Sequence, residues 1–200
     1  MSLLVFKHEK SCRMEEKKML VENWDVVAVG AGVGGLVAAL SAARSGAKVV
    51  VLEKAPDIKE TNTSRSGGSI AFAKERELNP STPRLTAEEL AEEAESLSEG
   101  NCDPELVKTW RLNIDETLEW LEKYGLKFST KEAVVPANAA KQVVGKGAGL
   151  NKQLLAMAEK AGCKICFNVK AEKLLRDAKG NVAGVRALEA AGFKDYFASL

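Results

Sequence analysis

The chain has 200 residues, of which 46% are hydrophobic and 28% are charged, and its formal net charge is +1. This is an ordinary globular composition with both charge signs interleaved, so nucleic acid and anionic membranes are not expected partners. The single histidine, His8, leaves no residues for a histidine-based metal site or for Ser-His-Asp catalysis. The four cysteines lack the spacing of a disulfide scaffold, which favours a reducing, cytoplasmic setting.

Residues 26–43 form an uncharged, largely apolar run that approaches the ~20 residues needed to span a bilayer. The run is interrupted by four glycines, Gly30, Gly32, Gly34 and Gly35. Each glycine costs a helix about 1 kcal/mol, which argues against a continuous membrane helix. The acidic residues Glu22 and Asp25 precede the run and argue against a signal peptide. We therefore expect no membrane span.

The same run fits a strand, a tight turn and a helix. Residues 25–29 are short and β-branched, as in a strand buried on both faces. The motif G-x-G-x-x-G follows at residues 30–35, and residues 36–44 predict a helix. Residues 48–53 predict a second buried strand that ends at Glu53, about 20 residues beyond the turn. The pattern predicts the first β-α-β unit of a dinucleotide-binding fold.

Each part of this unit has a role in holding a dinucleotide. Gly30 permits the turn, Gly32 lets a diphosphate approach the backbone, and Gly35 lets the helix pack on the strand. The N–H groups and dipole at the helix start favour the diphosphate. Glu53 can accept hydrogen bonds from ribose hydroxyls and would repel a 2′-phosphate, which argues against NADP. The unit by itself does not separate NAD from FAD.

The following segment, residues 52–73, reads LEKAPDIKETNTSRSGGSIAFA. It resembles the fumarate reductase and succinate dehydrogenase flavoprotein family, the FAD-dependent oxidoreductase 2 family, which includes ketosteroid and tricarballylate dehydrogenases. The resemblance is carried by Asn62, Thr63 and Ser64, followed by Gly67 and Gly68. In the family this loop runs beside the flavin and the diphosphate. The polar, short-chained residues 61–69 suit that role, because their N–H groups are free to bind an anion or a ring edge.

The middle of the chain predicts two helices. Thr86 and Glu89 form a capping box for an acidic helix that ends near Gly100. Asp103 caps a second helix, with Pro104 at its first position and Gly125 beyond its end. An apolar stripe along the second helix predicts core positions: Val107, Trp110, Ile114, Leu118 and Leu121.

The last part of the chain predicts a helix, a strand and a hairpin. The glycine-rich residues 146–150 lead into a helix at residues 151–161, closed by Gly162. Ile165, Phe167 and Val169 alternate as in a strand, and two further strands flank a turn at residues 179–181. The family has this order of elements, which implies a backbone contact to the adenosine half of FAD at Val169 or Lys170. Cys163 and Cys166 lie three apart in this region, which places them on opposite faces of a strand and predicts a structural role.

Two departures from the family affect the interpretation. Members with covalent flavin carry a histidine just before the Gly-Gly pair, and this chain has none there, so we expect noncovalent FAD. Glu60 and Thr61 replace glycines that usually precede the Asn. The family's substrate-capping domain and its catalytic Arg and His have no counterpart in this chain, so no catalytic residue and no metal ligand is assigned.

We therefore predict a Rossmann-like α/β fold, doubly wound around a mainly parallel sheet, with an appended β-hairpin or meander. Residues 1–21 are expected to form a flexible leader, with Met14 as an alternative start to Met1, and residues 22–200 an incomplete FAD-binding domain. The predicted cofactor contacts are Gly30, Gly32, Val33, Gly34, Gly35, Glu53, Lys54, Asn62, Thr63, Ser64, Gly67, Gly68 and Val169.

The predicted function is that of a fumarate reductase-type oxidoreductase, which exchanges hydride between flavin and a substrate C–C bond. The substrate, a dicarboxylate or another activated C–C compound, would be bound by a further domain, and a second polypeptide or an electron donor is a possible partner. Two alternatives stay open. One is a module that holds FAD or its ADP half without turnover, or half of a split enzyme. The other is the NAD-binding domain of a dehydrogenase.

Overall fold

A computed structural model describes residues 20–71, 87–132 and 140–198. The helices are α1 (Val33–Arg44), α2 (Asn62–Arg65), α3 (Ala87–Leu97), α4 (Pro104–Lys123) and α5 (Lys146–Lys160). The strands are β1 (Leu20–Trp24), β2 (Val26–Val29), β3 (Val49–Leu52), β4 (Ser69–Ala71), β5 (Phe128–Glu132), β6 (Ala140–Val143), β7 (Lys164–Cys166), β8 (Lys170–Arg176), β9 (Val182–Glu189) and β10 (Gly192–Ala198).

The centre of the structure is a parallel sheet in the order β2-β3-β7. Its middle strand, β3, is buried at every position, as its run of β-branched residues predicts. Val49 and Val51 face a core built with the helices, whereas Val50 and Leu52 face a core built with the antiparallel strands. The sheet is therefore the middle layer of three, which confirms the predicted α/β class with parallel strands.

Two helices cover one face of this sheet. Leu36 and Ala39 of α1 and Leu154 and Ala158 of α5 are fully buried and join the core that includes Val51. The apolar alanine and leucine content of α1 suits this position, because small side chains let the helix approach the strands closely. Because α1 and α5 pack in the same core, the first turns of α5 lie close to the turn that follows β2.

The opposite face is covered by a meander of β8, β9 and β10, with β1 added in parallel to β10. The turn predicted at residues 179–181 is confirmed, with Gly180 at a φ of +88°. Tyr196 and Val185 supply buried side chains to this second core. Leu20 and Val21, which fall in the predicted leader segment, pair in β1 with Lys194 and Asp195.

Helix α4 begins as its sequence predicts, because Asp103 Oδ1 accepts the Glu105 N–H at 2.9 Å and Pro104 is the first helical residue. Its predicted core stripe is confirmed at Val107, Ile114, Leu118 and Leu121. The prediction of a core position is wrong at Trp110, which is 37% exposed. The apolar period marks the inward face of a helix, but at this point a cavity takes the place of a packed neighbour. The capping-box prediction rests on Thr86, which lies outside the described residues.

Two other predictions are corrected. Helix α5 starts at Lys146 and includes Gly147 and Gly149, which were predicted to precede the helix. The single strand predicted through residues 165–169 is interrupted, because β7 ends at Cys166 and Asn168 adopts a φ of +58°. Val169 consequently precedes β8.

Cys163 and Cys166 contribute to different cores, as predicted from their spacing. Cys163 packs in the core on the helix side, and Cys166 packs against the core on the meander side. Burial raises the pKa of both thiols, which agrees with a structural role. None of the helices in the described part of the chain is both long and apolar enough to cross a membrane.

Candidate nucleotide site

The turn between β2 and α1 depends on glycine at two positions. Gly30 has a φ of +94°, and its N–H donates to the Leu52 carbonyl at 2.8 Å. A Cβ atom added at Gly35 would overlap the Gly30 carbonyl oxygen, so the helix can approach the turn only with glycine there. These two requirements are local, and they explain why the motif could be recognised in the sequence.

Glu53 lies directly after β3 and is buried, with 6% of its surface exposed. Its Oε2 accepts the Ala31 N–H at 2.7 Å, and its Oε1 accepts the Ala55 N–H at 2.8 Å. A carboxylate offers about four lone-pair positions, so these two bonds leave acceptor capacity for a further donor such as a sugar hydroxyl. The predicted ribose-binding residue is therefore held in a fixed orientation against the glycine turn.

The backbone of Glu53 also joins neighbouring strands. Its N–H donates to the Cys166 carbonyl at 2.8 Å, and its carbonyl accepts the Val169 N–H at 2.9 Å. Val169 therefore lies beside Glu53, at the edge of the site. Lys54 follows Glu53 and is exposed.

The segment predicted as a polar loop at residues 61–69 instead contains the short helix α2. A 3-10 turn, Ile58–Glu60, precedes α2, and Thr61 caps it by accepting the Ser64 N–H at 3.3 Å. The Ser64 hydroxyl donates to the Ile58 carbonyl at 2.7 Å, so Ser64 serves to hold this turn. Asn62 and Thr63, on α2, line the cavity described below.

Thr63 corrects one detail of the predicted diphosphate site. Its Oγ1 accepts the Val33 N–H at 2.9 Å, so this amide is not free in the structure. The N–H groups of Gly32, Gly34 and Gly35 have no acceptor among the described residues. These three amides, at the positive end of the α1 dipole, are the donors that remain for an anion.

Gly67 and Gly68 connect α2 to the short strand β4. Gly68 has a φ of +72°, and a Cβ atom there would overlap the Lys146 and Gly147 backbone. A Cβ atom at Gly147 would in turn overlap the Thr63 carbonyl oxygen. The start of α5 therefore packs directly on α2. This close approach at Gly147 was not predicted from the sequence.

Asn151 is a second residue whose contacts at the site were not predicted from the sequence. It lies on the buried face of α5, and its Nδ2 donates to the Ala31 carbonyl at 3.1 Å and to Thr61 Oγ1 at 2.7 Å. The signal in the sequence was a polar residue between apolar residues on a helix face that the period predicts to be buried. It links the glycine turn to the segment that carries Asn62 and Thr63.

A cavity of about 960 Å³ opens beside these elements. On one side it is lined by residues of the glycine turn, α2 and β4, including Val33, Gly34 and Gly68. On the other side it is lined by residues of α4: Thr109, Trp110, Asn113, Ile114, Thr117 and Leu121. The cavity wall is predominantly apolar with a few polar groups, as in small-molecule sites. No group of His, Cys, Asp and Glu suited to a metal ion occurs in the described ranges.

Comparison with known proteins gives a consistent result. The sequence model of the FAD-binding domain family matches residues 25–196. The urocanate reductase of Eggerthella lenta is 31% identical over 88% of this chain and 30% of its own length. A cytochrome-type fumarate reductase of Shewanella frigidimarina is 30% identical over 80% of this chain and 29% of its own length. The chain thus spans about 30% of the length of these curated relatives.

Solved structures show the same fold. The open conformation of a flavocytochrome c3 fumarate reductase superposes with a TM-score of 0.78 at 22% identity, covering 88% of this chain and 32% of that chain. The 3-ketosteroid-Δ4-(5α)-dehydrogenase of Rhodococcus jostii RHA1 superposes with a TM-score of 0.71 at 22% identity, covering 92% of this chain and 45% of that chain.

Proposed function

This chain belongs to the FAD-binding domain family, and from that premise we propose that it holds FAD noncovalently at the glycine turn, Glu53 and α2. Its sequence relatives include urocanate and fumarate reductases, and it is an FAD-binding domain of the fumarate reductase type. The whole protein would then be an oxidoreductase that acts on a substrate C–C bond.

The observation that carries the proposal is the pairing of free amides with a fixed carboxylate. The N–H groups of Gly32, Gly34 and Gly35 would donate to the diphosphate at the start of α1. Glu53, held by the Ala31 and Ala55 N–H groups, would accept from the adenosine ribose. A donor set and an acceptor set side by side suit a dinucleotide better than a simple anion.

The residues that line the cavity beside the turn support FAD over NAD. Its volume of about 960 Å³ lies at the upper end of the range of small-molecule sites and would accommodate either dinucleotide. Asn62, Thr63 and the backbone around Gly68 line it, and these are the residues that the family places along the flavin. The apolar side chains of Trp110, Ile114 and Leu121 on α4 would exclude water from a bound ring.

The side chains at the cavity support noncovalent attachment. Among the described residues, those that line it include neither histidine nor cysteine, and the sequence holds a single histidine, His8. The protein would therefore hold the cofactor through hydrogen bonds and packing.

When bound, FAD supplies two-electron hydride exchange, and the protein supplies binding and orientation. The residues of this chain would fix the diphosphate and ribose, and α2 and α4 would enclose the ring. Residues outside this chain's match to its relatives would bind the substrate, a dicarboxylate or another activated C–C compound, and would supply the catalytic acid. A cytoplasmic location and the division into a leader and a binding domain are further parts of the proposal, with Leu20 and Val21 assigned to the domain because they pair with β10.

The direct test is the visible spectrum of the purified protein, reconstituted with FAD if necessary. We expect flavin absorption that is released to the supernatant by acid precipitation, because noncovalent flavin dissociates from unfolded protein. A colourless protein that binds NADH but not FAD would contradict the proposal and favour the NAD-binding alternative. Flavin that stays with the precipitate would contradict noncovalent binding alone.

A second measurement separates an enzyme from a module that binds without turnover. After anaerobic reduction of the bound flavin, fumarate and urocanate are added in turn. Re-oxidation would support the enzyme. No re-oxidation by either compound would show that this chain does not turn over these substrates without the residues proposed to bind them.

A further inference from the structure

Asn151 has an unusual environment for an amide side chain. It is 0% exposed on the buried face of α5. The atoms facing its Nδ2 are all oxygens, namely the carbonyls of Ala31 and Ile58 and the hydroxyls of Thr61 and Ser64. This surrounding fixes the amide orientation, because only the NH₂ group can donate to them. Its Oδ1 has no hydrogen-bond partner among the described residues.

The two polar atoms of this side chain differ in what they gain from burial. A buried amide oxygen without a partner loses its hydration and gains no bond in exchange. The neighbours Leu150 and Leu154 are buried and apolar, so Asn151 is a polar exception on this helix face. The groups that its Nδ2 bonds therefore explain the polar residue at this position.

The bond to Ala31 determines the direction of the next amide. The Ala31 carbonyl and the Gly32 N–H belong to one trans peptide group, in which the C=O and N–H bonds point in opposite directions. Asn151 holds the carbonyl towards the protein interior, so the Gly32 N–H points outward from the turn. The preceding peptide is fixed as well, because the Ala31 N–H donates to Glu53.

We propose that Asn151 is a positioning residue that holds the Ala31–Gly32 peptide with its N–H directed at the cofactor diphosphate. This inference rests on the proposed function. Gly32 has no Cβ to resist rotation of the peptide, so without the Asn151 amide the group can turn over. The Ala31 carbonyl oxygen would then face the phosphates, and an attractive dipole would be replaced by a repulsive one.

The same amide sets the position of α2. Its Nδ2 donates to Thr61, the residue that caps α2, and Thr63 of α2 accepts the Val33 N–H of α1. One buried side chain therefore joins the glycine turn, predicted to bind the diphosphate, to the segment predicted to run beside the flavin and the diphosphate.

The test compares Asn151→Leu and Asn151→Ala with wild type. Affinities for ADP and for adenosine are measured by calorimetry on the full 200-residue chain. Adenosine keeps the base and ribose but lacks the diphosphate, so it reports binding at Glu53 without the turn amides. Leu154→Val is the matched control, because Leu154 is fully buried on the same face of α5 and bonds to none of these groups.

We expect Asn151→Leu to weaken ADP binding about tenfold, the effect of losing one charge-assisted hydrogen bond. Its adenosine affinity should stay within about twofold of wild type. Its melting temperature should fall, because the buried oxygens that Nδ2 bonds lose their donor. Leu154→Val should also lower the melting temperature but leave the ADP affinity unchanged. A merely structural role for Asn151 would instead affect the affinities for ADP and adenosine alike.

A spectroscopic readout on ¹⁵N-labelled protein completes the test. ADP should shift the Gly32 amide resonance in wild type and in Leu154→Val but not in Asn151→Leu. Asn151→Ala, which also removes the donor, should behave like Asn151→Leu and serves if the leucine variant does not fold.

The outcomes separate the two proposals. If wild type binds neither FAD nor ADP, the proposed function is wrong and this inference fails with it. If wild type binds ADP and both Asn151 variants bind it equally well, only the role of Asn151 is refuted.

Discussion

The two faces of the parallel sheet use polar side chains in different ways. On the helix side, Glu53, Thr63 and Asn151 each bond to backbone groups of the glycine turn. On the meander side, charged side chains bond to one another, as Lys194 does to Glu22 at 2.8 Å. Side chains that bond to the backbone of the glycine turn leave positions there for a ligand. Charged side chains that pair with each other satisfy one another instead. We therefore expect substitutions of these polar side chains on the helix side to alter nucleotide binding, and substitutions of the paired charges on the meander side to alter stability alone.

The meander network shows what mutual pairing looks like. Arg186 contacts Asp195 through two bonds of 2.7 and 2.8 Å, and Asp195 is 3% exposed. The Tyr196 hydroxyl donates to Glu189, and burial raises the pKa of Tyr196 well above its usual range. Such a network satisfies its buried polar groups within the protein.

The largest effect is expected for Gly35→Ala. Its Cβ would overlap the Gly30 carbonyl oxygen, so α1 must move away from the turn. We expect a loss of about 3 kcal/mol in the free energy of unfolding in urea, together with the loss of ADP binding.

Gly34→Ala is the matched control for that change. It lies in the same first turn of α1, and its Cβ would meet no atom within 4 Å. Its stability should be unchanged or raised by up to about 1 kcal/mol through helix propensity. Equal behaviour of the two variants would contradict the close packing at Gly35.

Glu53→Gln is expected to have the next largest effect. The amide keeps the shape of the side chain but replaces one acceptor with a donor that faces a backbone N–H, at a cost of about 2 kcal/mol. Wild type should bind ADP about tenfold more tightly than 2′-deoxy-ADP, and this preference should be smaller in Glu53→Gln, because one acceptor oxygen has become a donor. Equal preference for the 2′-hydroxyl in both proteins would exclude Glu53 from the ribose site.

On the meander side, Glu22 should make the stability of the protein depend on pH in the acidic range. Hydrogen bonds from Lys194 hold the pKa of Glu22 below its ordinary value of 4.5, so the folded state binds fewer protons there than the unfolded state. The resulting stability is present above pH 4.5 and is lost as the pH falls through the lowered folded-state pKa. Glu22→Gln should lower stability by about 1 kcal/mol at pH 7 and weaken this acid dependence.

Nucleotide affinity at pH 7 is the control for Glu22→Gln. The variant should bind ADP as wild type does, because Glu22 bonds to Lys194, Lys164 and Trp24 and to no group of the glycine turn. Weaker ADP binding would contradict the separation of the two faces.

The smallest effect is expected for Thr63→Val. The valine keeps the shape and removes the acceptor of the Val33 N–H, which should cost about 1 kcal/mol, as for a helix cap. Thr109→Val is the matched control, since Thr109 also lines the cavity and its hydroxyl donates to the Glu105 carbonyl of its own helix. Thermal unfolding should distinguish them, and equal losses would contradict the capping role of Thr63.

The sequence predicted those parts of the site that depend on neighbouring residues. The turn at Gly30, the helix after it and the acid at the end of β3 follow from a motif whose parts lie close along the chain. Helix α4 was likewise predicted from Asp103, Pro104 and its apolar period. These features need only local geometry and burial.

The rest depends on contacts between distant segments. Asn151 bonds to Ala31 across 120 positions and Thr63 bonds to Val33 across 30, so neither partner is marked in the local pattern. Trp110 was misplaced for a related reason, because an apolar period gives the inward face of a helix but does not show whether protein or a cavity lies there.

The most direct test of the account is an amide titration of ¹⁵N-labelled wild-type protein with ADP and with adenosine. We predict that ADP moves the Gly32, Gly34 and Gly35 resonances downfield, because these amides would donate to phosphate oxygens, and that adenosine leaves them in place. ADP binding that leaves all three resonances unchanged would contradict the account.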